Sequence, residues 1–172
     1  NISKNIVVST VMSNIGFEYY LKNELKISLK RTNVGDINVI SEMKKNKLTL
    51  GGEQSGHIIL SDYSHTGDGI LAALKIIEIM SIKNFKVSKL FDLYKDFPQK
   101  KINIFYKKMN NKIQKKIKSL SEDKSLIKKG FRVLIRLSGT EPLIRILVEG
   151  SKLKEVELTA HKLEYKVRSF LD

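Results

Sequence analysis

The chain has 172 residues, of which 41% are hydrophobic, and this is enough apolar material for the cores of one or two globular domains. It contains no cysteine, which excludes a disulfide framework and a thiolate metal site. No long apolar run and no signal-peptide pattern occur in the sequence, so we expect no membrane partner and a cytoplasmic location.

The net charge of +14 raises the question of nucleic-acid binding, because Lys-rich surfaces release counterions from a phosphate backbone. The lysines, however, are spread along nearly every segment, and no known nucleic-acid-binding motif accompanies them. A compositional bias toward Lys, Ile and Asn explains the charge as well. We therefore expect no specific nucleic-acid partner, only non-specific adhesion at low salt.

A strand and a helix open the chain. Residues 6–11 form a short β-branched run, and residues 15–25 follow Asn14, which predicts an N-cap. Three apolar side chains fall on one face of this helix: Phe17, Leu21 and Leu25.

A second strand and helix follow. Residues 27–31 predict the strand, and residues 34–43 predict a helix with Asp36 near its positive end. The β-α-β-α alternation predicts a parallel sheet. Three carboxylates of this region have no evident partner in the sequence: Glu18, Glu24 and Asp36.

The first conspicuous motif is Gly51-Gly52-Glu53-Gln54-Ser55-Gly56-His57, a polar loop between the apolar segments 48–50 and 58–60. Loops held between strands commonly carry function, and the glycines let the backbone approach a ligand closely. The side chains of Glu53, Gln54, Ser55 and His57 offer acceptors and donors suited to sugar hydroxyls. The residues alone fit an ordinary polar hairpin loop as well.

Two helices are predicted after this loop. Thr66 and Asp68 are candidate caps of a helix that runs to about Met80, with Ile70, Leu74, Ile77 and Ser81 at helical spacing and expected mostly in the core. A shorter helix over residues 89–96 would point Leu90, Phe91 and Tyr94 inward. We expect a domain boundary near Pro98.

The remaining chain predicts a β-α-β-β-α pattern. Residues 101–107 alternate as a half-buried strand, two further strands cover residues 131–135 and 143–148, and a helix spans about 154–171. Ile113, Ile117 and Leu120 mark the first helix, and the last helix has the stripe Val156, Ala160, Leu163, Val167 and Phe170. The predicted fold is α/β plus α+β: the end of a mixed βαβ sheet domain (residues 1–98), then a small β-α-β-β-α domain (residues 99–172) with helices on one side of its sheet.

The second motif is Arg136-Leu137-Ser138-Gly139-Thr140-Glu141-Pro142-Leu143-Ile144-Arg145, in which a turn joins two apolar strands. Ser138 and Thr140 supply hydroxyls, and Gly139 is free to take positive φ, so that successive N–H groups would form a nest for an anion. Arg136 and Arg145, two of only five arginines, flank the turn and suit bidentate phosphate binding. An ordinary hairpin with a salt-bridged rim is the alternative interpretation.

Together with Thr66-Gly67-Asp68-Gly69-Ile70, these two motifs resemble the C-terminal part of the α-D-phosphohexomutase family, and more closely its glucosamine-phosphate branch. The resemblance implies that Glu53 and Ser55 bind sugar hydroxyls and that His57 lies near a proton-transfer position. It also implies a phosphate site, with the residues Arg136, Ser138, Gly139, Thr140 and Arg145.

The resemblance further implies an isomerase that converts glucosamine 6-phosphate into glucosamine 1-phosphate, through a phosphoserine and a bisphosphorylated intermediate. The family's phosphoserine and its Asp-rich Mg²⁺ loop lie in two N-terminal domains that this sequence lacks. We therefore expect Mg²⁺ outside this chain, the missing domains as partners, and no activity for the isolated chain. In the family another strand and helix also precede the segment that matches residues 9–14.

One departure from the family and two alternatives stand beside this interpretation. Ile37 occupies a position where the glucosamine-phosphate branch usually has Arg. The chain could belong to a glucose- or mannose-phosphate mutase, or be a non-catalytic phosphosugar-binding relic. His65 is expected at the surface because the family more often has small hydroxyl residues there, and His161 because it lies off the apolar stripe of the last helix. Neither predicts a metal site, because no second ligand lies at metal-binding spacing.

Overall fold

The computed structural model describes residues 2–122 and 130–171. The chain divides into two compact units, Asn1–Asp96 and Phe97–Asp172, each of which has its own sheet.

The first unit is built on a mixed sheet of four strands in the order β2-β1-β3-β4. Strand β1 runs parallel to both β2 and β3, whereas β4 pairs antiparallel with β3, so the mixed βαβ sheet predicted from the sequence is confirmed. After a 3-10 turn (Ser3–Asn5), the elements are β1 (Ile6–Thr10), α1 (Ile15–Asn23), β2 (Ser28–Thr32), α2 (Asp36–Asn46), β3 (Leu50–Gly52), β4 (Ile58–Leu60), α3 (Gly69–Lys83) and α4 (Val87–Leu90).

Side-chain caps begin two of these helices. Oδ1 of Asn14 accepts a hydrogen bond from the N–H of Gly16 at 2.7 Å, which confirms the predicted N-cap of α1. Oδ1 of Asp68 accepts from the N–H of Leu71 at 2.9 Å, so Asp68 caps α3 and Thr66 does not. Because α1 ends at Asn23, Leu25 lies beyond the helix and is exposed, and its predicted place on the apolar face is wrong.

The core of the first unit lies between the sheet and α2. Val8 of β1, Val39 and Met43 of α2, and Ile59 of β4 are all buried there. A Cβ atom at Gly51 would lie 2.5 Å from Sδ of Met43, so the missing side chain is what lets α2 approach β3 closely. Helix α2 begins at Asp36 instead of residue 34 and ends at Asn46 instead of residue 43, where Lys47 takes the left-handed conformation with φ 54°.

The apolar residues of α3 are not in the core, which corrects the prediction from their spacing. Ile70, Leu74 and Ile77 are 77%, 59% and 59% exposed, and none of the residues of α3 is buried. Helical spacing shows that these side chains share a face, but it does not show what covers that face, and within the described residues nothing does.

The short helix α4 is also smaller than predicted. It ends at Leu90 instead of Asp96, and Phe91 is exposed instead of pointing inward. Tyr94 lies beyond the helix and is partly exposed, with its ring 5.5 Å from that of Phe17. The last apolar residues before Pro98 therefore form no helical face.

The second unit has an antiparallel sheet of three strands in the order β5-β7-β6, with two helices on one face. Ile117 and Leu120 of the first helix pack with Ile144, Ile146 and Val148 of the central strand. Four residues of the stripe predicted for the last helix are buried in the same core, whereas the fifth, Phe170, lies beyond the end of that helix and is partly buried. The predicted β-α-β-β-α arrangement is confirmed. Its elements are β5 (Gln99–Phe105), α5 (Asn111–Ser121), β6 (Arg132–Leu137), β7 (Leu143–Glu149) and α6 (Leu153–Arg168).

Candidate functional site

The first candidate site is the turn of residues 53–57 between β3 and β4, here called the Glu53 loop. The N–H of Glu53 donates to the carbonyl of His57 at 2.9 Å, and the N–H of Gly56 donates to the carbonyl of Glu53 at 3.1 Å, so the loop is a tight, closed turn. Gly56 takes a φ of 104°, which favours glycine. A Cβ atom at Gly52 would lie 2.5 Å from the carbonyl oxygen of His57, so only glycine fits at the start of the loop.

The Glu53 loop brings together Glu53, Ser55 and His57, the three side chains for which the resemblance implies a role. The Glu53 side chain is 9% exposed, and its Oε1 accepts a hydrogen bond from the N–H of Gly35 at 2.9 Å. Its Oε2 lies 3.9 Å from Nδ1 of His57, and Oγ of Ser55 lies 3.2 Å from the same nitrogen. One carboxylate oxygen is thus held by the backbone, while the other lies near the exposed imidazole of His57, which Ser55 also contacts.

Three loops meet at this point because the carboxyl ends of β1, β2 and β3 lie at one edge of the sheet. Ligand sites in open α/β sheets favour such an edge. Gly35 comes from the loop after β2, and the hydroxyl of Ser9, at the end of β1, donates to the carbonyl of Gly52 at 2.7 Å. The motif analysis missed Gly35, Ser9 and Ser13. The available signal was one serine near the end of β1 and a second one in the loop that follows.

Glu18 has a partner, contrary to the expectation from the sequence. Its Oε2 accepts from Nη2 of Arg31 at 2.9 Å, and Nη1 of Arg31 donates to the carbonyl of Ser13 at 2.7 Å. The ion pair therefore supports the loop after β1. Thirteen residues separate Glu18 from Arg31 along the chain, and only the parallel pairing of β1 with β2 brings them together.

The Thr66 to Ile70 motif lies next to the Glu53 loop. The N–H of Asp68 donates to the carbonyl of Ile58 at 3.4 Å, and a Cβ atom at Gly67 would lie 3.5 Å from Cδ2 of His57. Ile37, in the first turn of α2, is 73% exposed and follows Gly35 by two residues.

The second candidate site is the connection of residues 138–142 between β6 and β7, here called the Ser138 loop. The N–H of Ser138 donates to the carbonyl of Leu143 at 2.8 Å, and the N–H of Leu143 donates to the carbonyl of Glu141 at 2.7 Å. Gly139 and Thr140 are exposed. Among the described glycines only Gly35, Gly56 and Gly130 have positive φ, so the expectation of a left-handed Gly139 is wrong. A five-residue connection can reverse the chain without that conformation.

Arg136 and Arg145 flank the Ser138 loop as directly opposed partners on the two strands. Because Ile144 and Ile146 point into the helix-covered core, Arg145 and its partner project from the opposite face of the sheet. Nη2 of Arg145 donates to Oε2 of Glu141 at 2.7 Å, while its buried Nε has no hydrogen-bond partner. The pKa of Arg136 is lowered, first by burial and then by the charge of Arg145. An anion bound here would offset both effects.

Metal binding finds no support in the described part of the chain. Over residues 2–122 and 130–171, no three His, Cys, Asp or Glu side chains are placed to hold a metal ion. His65 is exposed, as expected, and Nδ1 of the exposed His161 lies 3.2 Å from Oε2 of Glu164. The Mg²⁺ that the resemblance implies therefore does not fit the described residues.

Two further observations concern features outside the two candidate sites. A cavity of about 330 Å³ is lined by Met43, Leu48 and Ile59 at the other end of the β3 and β4 pair, and no residue of the Glu53 loop lines it. In the described part of the chain, no helix has the length and apolar character needed to span a membrane.

Two family models match the chain. The model described as "Phosphoglucomutase/phosphomannomutase, alpha/beta/alpha domain III" matches residues 1–97, and the C-terminal domain of the same family matches residues 84–165. Together they include the Glu53 loop and the Ser138 loop.

Curated relatives agree with this match. The chain is 43% identical to a phosphoglucosamine mutase of Clostridium kluyveri over 164 residues, which is 93% of this chain and 36% of that protein. It is 45% identical to a phosphoglucosamine mutase of Campylobacter curvus over 159 residues, 92% of this chain and 35% of that one. The chain thus spans about a third of the length of the curated relatives it matches.

Solved structures share the fold at low sequence identity. N-acetylphosphoglucosamine mutase of Aspergillus fumigatus superposes with a TM-score of 0.76 at 19% identity, over 97% of this chain and 39% of that chain. Another structure of that enzyme, in complex with GlcNAc-6P and magnesium, gives 0.72 at 19% identity, over 98% of this chain and 39% of that chain. A phosphoglucomutase/phosphomannomutase family protein of Burkholderia thailandensis gives 0.74 at 15% identity, over 97% and 38%.

Proposed function

Because the chain belongs to the phosphoglucomutase/phosphomannomutase family, we propose that it is the sugar- and phosphate-binding part of a phosphoglucosamine mutase. The complete enzyme would interconvert glucosamine 6-phosphate and glucosamine 1-phosphate through a phosphoserine and a bisphosphorylated intermediate. One observation carries the proposal: a chain 43% identical to such an enzyme holds Ser55 Oγ and Glu53 Oε2 within 4 Å of one nitrogen of His57.

The first unit, proposed as a domain of residues 1–98, would recognise the sugar. Glu53 can only accept hydrogen bonds, and with one oxygen held by Gly35 its other oxygen is suited to a sugar hydroxyl. Ser55 would contribute a second hydroxyl contact. His57, whose side chain is 54% exposed, is the candidate for proton transfer at the reacting end of the sugar.

The second unit, proposed as a domain of residues 99–172, would hold the phosphate that is not reacting. Arg136 and Arg145 supply the charge, while the hydroxyls of Ser138 and Thr140 and the backbone N–H groups of Gly139 and Thr140 would supply shorter contacts. The second unit would bind the non-reacting phosphate while Glu53 and Ser55 bind the sugar hydroxyls. Either end of the sugar could then face the phosphoserine. Positioning of this kind is a large part of phosphoryl-transfer catalysis.

The phosphoryl donor and the metal belong, in this proposal, to the parts of the family that the chain does not span. Since the described residues offer no metal site, we place Mg²⁺ outside this chain, where it would neutralise charge on the transferred group. The family's N-terminal domains are the proposed partners, and hexosamine phosphate is the proposed ligand. The cytoplasmic location stays a prediction from the sequence.

Glucosamine phosphate is the preferred substrate because the curated relatives at 42% to 45% identity are named phosphoglucosamine mutases. Glucose and mannose phosphates are the alternative substrates. Ile37 is exposed and stands where the glucosamine-phosphate branch usually has Arg, so its effect on the substrate preference should be measured.

Complementation tests the proposal. The purified chain should show no turnover alone, and it should support formation of glucosamine 1-phosphate when the N-terminal part of the Clostridium kluyveri relative is supplied as a second polypeptide. The matched control is the chain with Arg136→Ala. Turnover by the chain alone would refute the assignment of the phosphoryl donor, and a mixture that binds phosphosugar without turning it over would favour a non-catalytic relic.

A further inference from the structure

Two buried serines lie where β1 ends. Ser9 is within the strand and Ser13 is in the loop that follows, and each is 5% exposed. Their Oγ atoms are 2.6 Å apart. Buried hydroxyls in an apolar strand need hydrogen-bond partners, and the identity of these partners connects the two serines to the Glu53 loop.

The direction of each hydrogen bond follows from the chemistry of the groups. The carbonyl oxygen of Gly52 can only accept, so Ser9, whose Oγ lies 2.7 Å from it, donates its single proton there. The bond between the two serines must then run from Ser13 to Ser9. Two consecutive hydrogen bonds therefore run from Ser13 to Ser9 and from Ser9 to the carbonyl of Gly52. Consecutive hydrogen bonds polarise and so strengthen one another.

The accepting carbonyl is the one that precedes Glu53. The ladder between β1 and β3 has one register pair, Val8 with Gly51, and the carbonyl of the next residue of β3 accepts its hydrogen bond from the side chain of Ser9. The carbonyl of Gly52 and the N–H of Glu53 belong to one planar peptide unit. That N–H donates to the carbonyl of His57 at 2.9 Å, so fixing the carbonyl also orients the turn.

Ser13 is itself held from two sides. Its N–H donates to the carbonyl of Thr10 at 3.1 Å, and its carbonyl accepts from Nη1 of Arg31 at 2.7 Å. Arg31 in turn pairs with Glu18 of α1. The network therefore joins the Glu53 loop to β2 and α1, which are distant from it in sequence.

We propose that Ser9 and Ser13 are positioning residues, which fix the first peptide of the Glu53 loop and thereby aim the Glu53 carboxylate at the sugar hydroxyls. Gly35 fixes the carboxylate from the other side, so the side chain is held at both ends. The part of this inference that concerns the sugar rests on the proposed function. The part that concerns the loop rests on the contacts of the chain alone.

Amide hydrogen exchange of this chain tests the loop. Ser9→Ala should speed exchange at the N–H of Glu53 by about tenfold, because the peptide loses its anchor. Ser13→Ala should act in the same direction, and Ser9→Thr, which keeps the hydroxyl, should restore protection. Ser81→Ala, at an exposed serine of α3, is the control and should change nothing. Unchanged exchange in Ser9→Ala, with the fold intact, would overturn the proposal whatever the function.

A double-mutant comparison tests the effect on the sugar, in a chimera of the Clostridium kluyveri N-terminal part and this chain. Ser9→Ala should weaken glucosamine 6-phosphate binding about tenfold, leave inorganic phosphate binding unchanged, and add nothing once Glu53→Ala is present. An equal additional loss in the Glu53→Ala background would mean that Ser9 acts on the fold in general, and would refute positioning. If Glu53→Ala itself has no effect, the proposed function fails, while the exchange result still decides the role of Ser9 in the loop.

Discussion

Arg136 of β6 and Arg145 of β7 face each other as directly opposed residues of an antiparallel pair. Like charges in this arrangement destabilise a sheet, and burial together with the neighbouring charge lowers the pKa of Arg136. An anion bound between the two guanidinium groups would offset their repulsion. The arrangement accounts for the candidate phosphate site without a left-handed Gly139.

Replacing one of the two arginines should therefore stabilise the empty protein and weaken the site. Arg136→Met should raise the free energy of unfolding by about 0.2 to 1 kcal/mol in anion-free buffer, since a cross-strand repulsion is removed. The same variant should lose most of the increase in Tm that inorganic phosphate gives the unmodified chain. Thermal unfolding with and without phosphate measures both effects.

The control for this variant is Arg168→Met, at an exposed arginine that pairs with Glu164 near the end of α6. It should bring no stabilisation and should keep the full effect of phosphate. If both variants respond to phosphate as the unmodified chain does, the Ser138 loop is an ordinary hairpin rim.

Glu53 should discriminate between a sugar phosphate and free phosphate. Glu53→Ala, in the assembled enzyme, should cost about 1.5 to 3 kcal/mol in binding glucosamine 6-phosphate, because a charged acceptor of a hydroxyl is lost. It should not weaken the binding of inorganic phosphate, since a carboxylate offers that anion no favourable contact. Titration calorimetry with both ligands measures the contrast, with exposed Glu24→Ala as the control. Equal losses for the two ligands would point to a damaged fold.

Two glycine substitutions should have opposite effects on stability. Gly52→Ala would place a Cβ atom 2.5 Å from a backbone oxygen that cannot rotate away, so we expect a loss of about 1 to 3 kcal/mol. A Cβ atom at Gly69, at the start of α3, meets nothing within 4 Å, so Gly69→Ala should stabilise by about 0.4 to 1 kcal/mol. Denaturant unfolding of the two variants measures the difference, and equal stabilities would contradict the close approach at Gly52.

The exposed face of α3 should bind hydrophobic probes. The chain should enhance ANS fluorescence, and Leu74→Glu combined with Ile77→Glu should abolish most of the enhancement, because both side chains are 59% exposed. The double variant should change the free energy of unfolding by no more than about 0.5 kcal/mol per site. Lys75→Glu, on the same helix, is the control. A severe loss of stability in the double variant would mean that these residues are buried.

Local signals in the sequence predicted the fold well. Asn14 before an apolar run predicts a cap, and the stripe from Val156 to Val167 predicts a buried helix face, because both depend on neighbours along the chain. The same reasoning failed for Ile70, Leu74 and Ile77. Their spacing is correct for a helix, but whether a face is buried depends on which other elements are present to cover it.

The site was predicted less completely, for a related reason. Glu53, Ser55 and His57 lie within one short motif, so the sequence shows them together. Ser9 and Gly52 are 43 positions apart in the sequence. Gly35 contributes only its backbone N–H, a group that almost every residue type has, so the residue type gives no sign of this contact. These groups meet only because three parallel strands end at one edge of a sheet.

The most direct test of the account is turnover by an in-frame chimera, in which this chain replaces the matching part of the Clostridium kluyveri phosphoglucosamine mutase. We expect the chimera to convert glucosamine 6-phosphate into glucosamine 1-phosphate faster than it converts glucose 6-phosphate, and we expect Arg136→Ala or Glu53→Ala to reduce this conversion. A folded chimera that shows no turnover, or one whose turnover is unaffected by both substitutions, would contradict the claim that this chain positions the substrate of a phosphohexomutase.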